Sequence, residues 1–206
     1  MPGQTLEDWE ETLRKVVELN PEHISAYSLI IEEGTKFYEW YADKEELLPD
    51  EETERAIYYR TEELLKEAGY ERYEISNYAK PGYECKHNLG YWERTEYLGL
   101  GAGAASLIYS QRWTQADSFN KGPEVEELTR ENEMEEFMFL GLRKIKGVSV
   151  IAFEEIFHVG MHEVYGDVIE SMKSKELLEE AEGYVRLTEA GIDVSNYVMS
   201  EFFLLF

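Results

Sequence analysis

The order of patterns in the first part of the chain limits its fold more than any other feature. An amphipathic helix, an apolar β-prone run, a second amphipathic helix and a second short run follow one another at the spacing of βα units. Thr5 stands three residues before Asp8 and reads as a capping box, opening a helix with Leu6, Trp9, Leu13, Val16 and Val17 on one face, which Asn20-Pro21 stops. Residues 23–31 are apolar enough for a buried strand and end at Glu32-Glu33-Gly34. A loop with Phe37, Tyr38, Trp40 and Tyr41 is expected next. Asp50 then caps a helix that turns Ile57, Thr61, Leu64, Leu65 and Ala68 inward and closes at Gly69. A short strand at about 72–76 follows. The pattern predicts an α/β fold, with a parallel sheet and helices outside it. The chain opens on the loop and helix of a βα unit without its strand, so upstream sequence is expected.

Beyond residue 129 the pattern changes to short helices. Their apolar positions are Met134, Phe137, Met138 and Leu142, then Phe153, Ile156 and Phe157 after the cap Ser149, then Val164, Tyr165, Val168, Ile169 and Met172. A strand at 184–188 and a last helix complete a winged-helix-like outline. The whole chain carries 44 acidic and 20 basic residues, a net charge of −24, which excludes generic nucleic-acid binding. A winged helix that reads DNA needs a basic face, so this one is expected to contact protein or another domain. A single cysteine, Cys85, forbids an internal disulfide, the first residues show no charged n-region followed by an apolar h-region, and the apolar run 202–206 is too short to span a bilayer. A cytoplasmic protein is expected.

Few residues offer chemistry. Cys85 and His87 supply two metal ligands where structural zinc takes four. His158 and His162 have helical i, i+4 spacing, but Gly160 between them predicts a bend. His23 opens a buried strand and is expected to be a hydrogen-bonded structural residue. The glycines Gly99, Gly101 and Gly103 lack the strand-to-helix context of a dinucleotide fingerprint. What remains is the dense block at 73–92, where a histidine beside an amide is flanked by Tyr91 and Trp92. Such a group suits an imidazole ligand to haem iron with aromatic faces on a porphyrin. From these residue types alone the favoured reading is the plainer one, in which His87 and Asn88 bond a loop together while the aromatics fill a core.

The chain resembles the HemW-type haem chaperones, radical SAM proteins of the oxygen-independent coproporphyrinogen III oxidase-like family. The resemblance runs nearly end to end through Pro2-Gly3-Gln4-Thr5, residues 23–34, Leu48-Pro49-Asp50, the block at 73–92 with its H-N-x-x-Y-W signature, and residues 134–143. It implies that residues 1–115 are later βα units of a partial radical SAM barrel, 116–128 a linker and 129–206 a helical, winged-helix-like domain. It also implies that His87, Asn88, Tyr91 and Trp92 are the haem-binding residues, with His87 the ligand to iron, Tyr91 and Trp92 packing surfaces and Asn88 an orienting neighbour. Ala79 matches a position that lines the S-adenosylmethionine (SAM) pocket in the related oxidases, which implies a contact to SAM through its backbone. The resemblance further implies transfer of haem to haem-accepting proteins.

The departures from the family pattern are as informative. The family's C-x-x-x-C-x-x-C loop, which holds a [4Fe-4S] cluster for SAM cleavage, is not in this sequence, and one cysteine cannot supply three thiolates. No independent radical chemistry is expected, and an N-terminal half is an expected partner. Where the family commonly reads G-P-G-A-H-S, this chain has Ala102 and Ala105 in place of proline and histidine. The alternatives are a fragment of a coproporphyrinogen III oxidase, whose anionic substrate would draw on Lys80, Lys86, Arg94 or Arg112, and an interaction module without a ligand.

Overall fold

Helix α1 (Leu6–Glu18) begins where the sequence places it, because the Thr5 hydroxyl accepts the Asp8 amide at 3.2 Å while the Asp8 carboxylate accepts the Thr5 amide at 3.1 Å. Strand β1 (His23–Ser25) and helix α2 (Lys36–Tyr41) follow, then α3 (Glu51–Glu67), β2 (Glu71–Glu74) and β3 (Asn77–Ala79). The computed structural model describes residues 1–116 and 122–203, divided into two compact units, Met1–Cys85 and Lys86–Phe206. Residues 117–121 of the expected linker and 204–206 of the terminal apolar run lie outside the described residues.

In the first unit Leu13, Ile24, Leu65, Tyr70 and Tyr78 form the core, with Trp9, Val16, Val17, Leu64 and Ala68 packed against it. The Trp9 indole donates to Thr61 at 2.7 Å and ties α1 to α3. Asp50 accepts the Thr53 amide at 2.8 Å, and Gly69, at φ +84°, ends α3 in the left-handed conformation that a glycine adopts without a Cβ clash.

Three expectations change here. The sheet has the order β1-β3-β2 with both pairings antiparallel. β1 and β2 do run in the same direction, as a βα order requires, but β3 returns by a tight turn and inserts between them. The strand expected over 23–31 ends at Ser25, because its partner β3 begins at Asn77. The last bond of this ladder joins the Ala26 amide to the Ser76 carbonyl, and Tyr27 and Ile30 beyond it are exposed. The expected aromatic loop contains α2, since the Thr35 hydroxyl caps it and Phe37 packs on Tyr41 one turn later. His23 is hydrogen-bonded to the Tyr73 hydroxyl at 2.9 Å, and burial lowers its pKa.

The second unit opens with α4 (Lys86–Trp92) and the antiparallel sheet β4 (Ala105–Ile108), β5 (Gln111–Thr114) and β6 (Val125–Glu127). Next come α5 (Arg130–Gly141), β7 (Val148–Ser149), α6 (Val150–Phe157), α7 (Met161–Ser174), β8 (Leu178–Ala181), β9 (Tyr184–Leu187), α8 (Glu189–Asp193) and α9 (Ser195–Ser200). Helices α5 to α7 with the sheet β7-β9-β8 make a winged-helix-like module around Met138, Leu142, Phe153, Met161, Ile169 and Val185. The predicted bend at Gly160 separates α6 from α7, and His162 pairs with Glu180 at 3.0 Å. No helix among the described residues is long and apolar enough to cross a membrane.

Tyr165 is 1% exposed, packed against Phe153 and Phe202, and its hydroxyl has no hydrogen-bond partner among the described residues. Burial raises its pKa, so it is a neutral phenol. Removing an unsatisfied buried hydroxyl costs nothing in lost bonding, so Tyr165→Phe should leave stability unchanged or raise it by about 1 kcal/mol. Urea unfolding checks this, and a loss of that size would show that the hydroxyl has a partner.

Candidate functional site

Helix α4 carries four of the five site residues predicted from sequence, and the structure sorts them into two groups. His87 and Tyr91 are one turn apart and meet edge to face, with ring centres 4.7 Å apart at 74°. Tyr91 meets Tyr97 in the same way, at 4.7 Å and 78°. The result is a continuous stack of three rings with the exposed imidazole at one end. Tyr97 is fixed from behind by two backbone bonds to Leu107, both 2.9 Å. Burial, and next the neighbouring Tyr91, raise the Tyr97 pKa and keep it a neutral phenol.

Trp92 is five residues from His87, about 140° around the helix. It packs under the Arg143 guanidinium, 4.5 Å from the ring centre, and its indole N–H is buried without an acceptor among the described residues. Asn88 is half-buried on the same helix. Ala79, the SAM candidate, is 1% exposed in β3, in register with His23 on one side and Glu71 on the other.

The end of α4 is held by a charge cluster that sequence reasoning missed. The Thr95 amide closes on the Gly90 carbonyl at 2.8 Å, which puts Arg94 at φ +53°, a conformation non-glycine residues seldom adopt. Its guanidinium donates to Glu136 at 2.8 Å and reaches Glu133 at 3.2 Å. Arg112 of β5 also bonds Glu136, and the Ser110 hydroxyl donates to Glu133 at 2.7 Å. Glu136, 5% exposed, therefore joins α4, the β4–β5 hairpin and α5 through one carboxylate.

The glycine run leads into strand β4 and has no helix N-terminus to offer a phosphate. The Gly99 amide donates to the buried Ser106 hydroxyl at 2.9 Å, and a Cβ at Gly99 would strike the Ala105 carbonyl. Leu98 and Leu100 of this run are exposed, as is Ala105. No cluster of three or more His, Cys, Asp or Glu side chains able to hold a metal ion occurs among the described residues. The residues present do not fit a [4Fe-4S] cluster, because the chain has one cysteine.

This architecture has a counterpart among solved structures. The coproporphyrinogen III oxidase (HemN) of Escherichia coli, a radical SAM enzyme, superposes with a TM-score of 0.76 at 18% identity, over 98% of this chain and 52% of that one. The fold is thus the C-terminal part of a partial radical SAM barrel followed by a winged-helix-like domain. Residues 128–194 match the HemN C-terminal domain family. Over nearly its whole length the chain is 34% identical to the haem chaperone HemW of Lactococcus lactis and 36% identical to that of Bacillus subtilis, covering 56% of each. The chain is thus similar over nearly its whole length to HemW-type, coproporphyrinogen-oxidase-like proteins, and it spans about half the length of the curated relatives it matches.

Proposed function

We propose that this chain carries haem as cargo on α4, with His87 the ligand to iron and the Tyr91–Tyr97 stack the surface against which the macrocycle edge packs, for delivery to haem-accepting proteins in the cytoplasm. The observation that supports this best is the exposed His87 imidazole set edge to face on Tyr91 at 4.7 Å, in a helix that bears the H-N-x-x-Y-W signature. An exposed imidazole can reach the iron of a large flat ligand, and haem supplies the metal that neutral imidazole binds. The exposed Leu98 and Leu100, in the loop that follows Tyr97, add apolar surface to the same segment. Binding of cargo needs no cluster, so it is compatible with a chain that cannot assemble one. SAM cleavage and any decarboxylation belong to the family's longer proteins and are not proposed for this chain alone.

A haemin titration followed at the Soret band tests the reading. Saturation at one haemin per chain is expected, and Tyr91→Leu should weaken it by about 3- to 10-fold, the equivalent of one aromatic pair. Unsaturable binding that is identical in the variant would reduce the signal to haem adhering to exposed apolar surface and end the assignment.

A further inference from the structure

The second unit contains a cavity of about 290 Å³ whose charge is opposite to that of the chain as a whole. Trp92, Phe137 and Ile156 supply its apolar surface, and Lys144 and Lys146 stand on it, with Glu93 as the acidic member of the lining. We infer that this cavity binds an organic carboxylate with an apolar body.

The two lysines differ in a way that fits such a ligand. Lys146 lies 4.5 Å from the centre of the Tyr184 ring, and its hydrogen bond to that phenol holds its pKa above the ordinary lysine range, so it is cationic at neutral pH. Its direct neighbour is a ring, and the Glu93 charge acts on it from a distance without an ion-pair contact among the described residues. Lys144 is largely covered, and its ammonium is 3.1 Å from the carboxylate of Glu93, itself more than half exposed. Glu93 thus occupies, from within the chain, the position that a ligand carboxylate would take. The third cation of the lining, Arg94, is committed to Glu133 and Glu136 and is not available.

A phosphate would seek several backbone amides or a guanidinium fork and would leave the aromatic surface unused. A monoanion with an apolar body uses both parts of the cavity. The inference does not rest on the haem assignment, since Trp92 and His87 face about 140° apart on α4. Two sources share the required chemistry, a propionate arm of a tetrapyrrole and a separate carboxylic acid.

The test uses pyrenebutyrate as probe, followed by fluorescence anisotropy, with neutral pyrenebutanol as its isosteric comparison. Saturable binding of the acid is expected, with the alcohol and the Lys144→Gln/Lys146→Gln double variant each at least about 10-fold weaker, as loss of charge-assisted bonds implies. Glu93→Gln should tighten the acid about 3-fold or more by releasing Lys144, an effect that damage to the fold would not produce. Equal binding of acid and alcohol, or unchanged binding in the double variant with its circular dichroism intact, would overturn the inference. Displacement by haemin but not by its dimethyl ester would support the carboxylate pocket and assign it to propionates. Displacement by neither would support it with a separate acid as ligand, and equal displacement by both would overturn it.

Discussion

Glu136→Gln should destabilise the second unit by about 3 kcal/mol or more, among the largest costs of any single polar substitution in this protein. The carboxylate is 5% exposed and receives both Arg94 and Arg112, whose side chains are 12% and 38% exposed. An amide keeps the shape but withdraws the charge, leaving the better buried guanidinium of Arg94 with only Glu133 at 3.2 Å. That guanidinium also anchors a residue at positive φ, so the backbone turn that ends α4 loses its restraint along with the ion pair. Because Arg112 is more than a third exposed, solvent screens its share, and the expected cost lies at the low end of the range for broken buried pairs. Urea unfolding should show a lower midpoint at an unchanged slope, with Glu154→Gln on the exposed face of α6 as the silent comparison. A midpoint within about 0.5 kcal/mol of the parent would show that the cluster is a surface ornament.

What the sequence made legible was local. The capping residues Thr5, Asp50 and Ser149, and the closing glycine at 69, act within one turn of their own helices, and each stands where the spacing predicts. The end of β1 was not legible, because it depends on where a partner some fifty residues later begins its return. The β4–β5 hairpin was missed for a different reason. Its turn is Tyr109-Ser110, both at positive φ, where the usual signal would be asparagine or glycine.

The site shows the same division between local and distant information. The i, i+4 pairing of His87 and Tyr91 follows from helical geometry, while Tyr97 joins the stack only because Leu107 pins it from another strand. Grouping Trp92 with His87 followed the motif as a string of letters, and five residues of helix carry it to a different face. Glu136 reads in the sequence as one more acid on an acidic helix, beside Glu131, Glu133 and Glu135. Only the folded chain distinguishes it, by burying it between two arginines from different elements.

The second large effect concerns the ligand itself. His87→Gly removes an exposed side chain at the free end of a ring stack, so it should leave the core intact while removing the residue proposed to hold the iron. Haem affinity should fall by about 100-fold or more, since removing even a group that merely orients a metal ligand costs about 10- to 100-fold. Glycine within a seven-residue helix costs about 1 kcal/mol of helix stability, so His87→Ala serves as the companion that separates loss of the ligand from fraying of α4. Both variants should lose haem equally if coordination is the cause.

The most direct measurement is therefore rescue of His87→Gly by imidazole. Haemin is titrated into the variant with and without millimolar imidazole, and the Soret position and the low-temperature electron paramagnetic resonance spectrum are compared with those of the unsubstituted protein. The account predicts that imidazole restores the parent spectrum and one-to-one binding on the variant, and that it does so less well when Tyr91 is also replaced by leucine. A parent-like spectrum in His87→Gly without imidazole would contradict it, because the iron would then be held by some other residue.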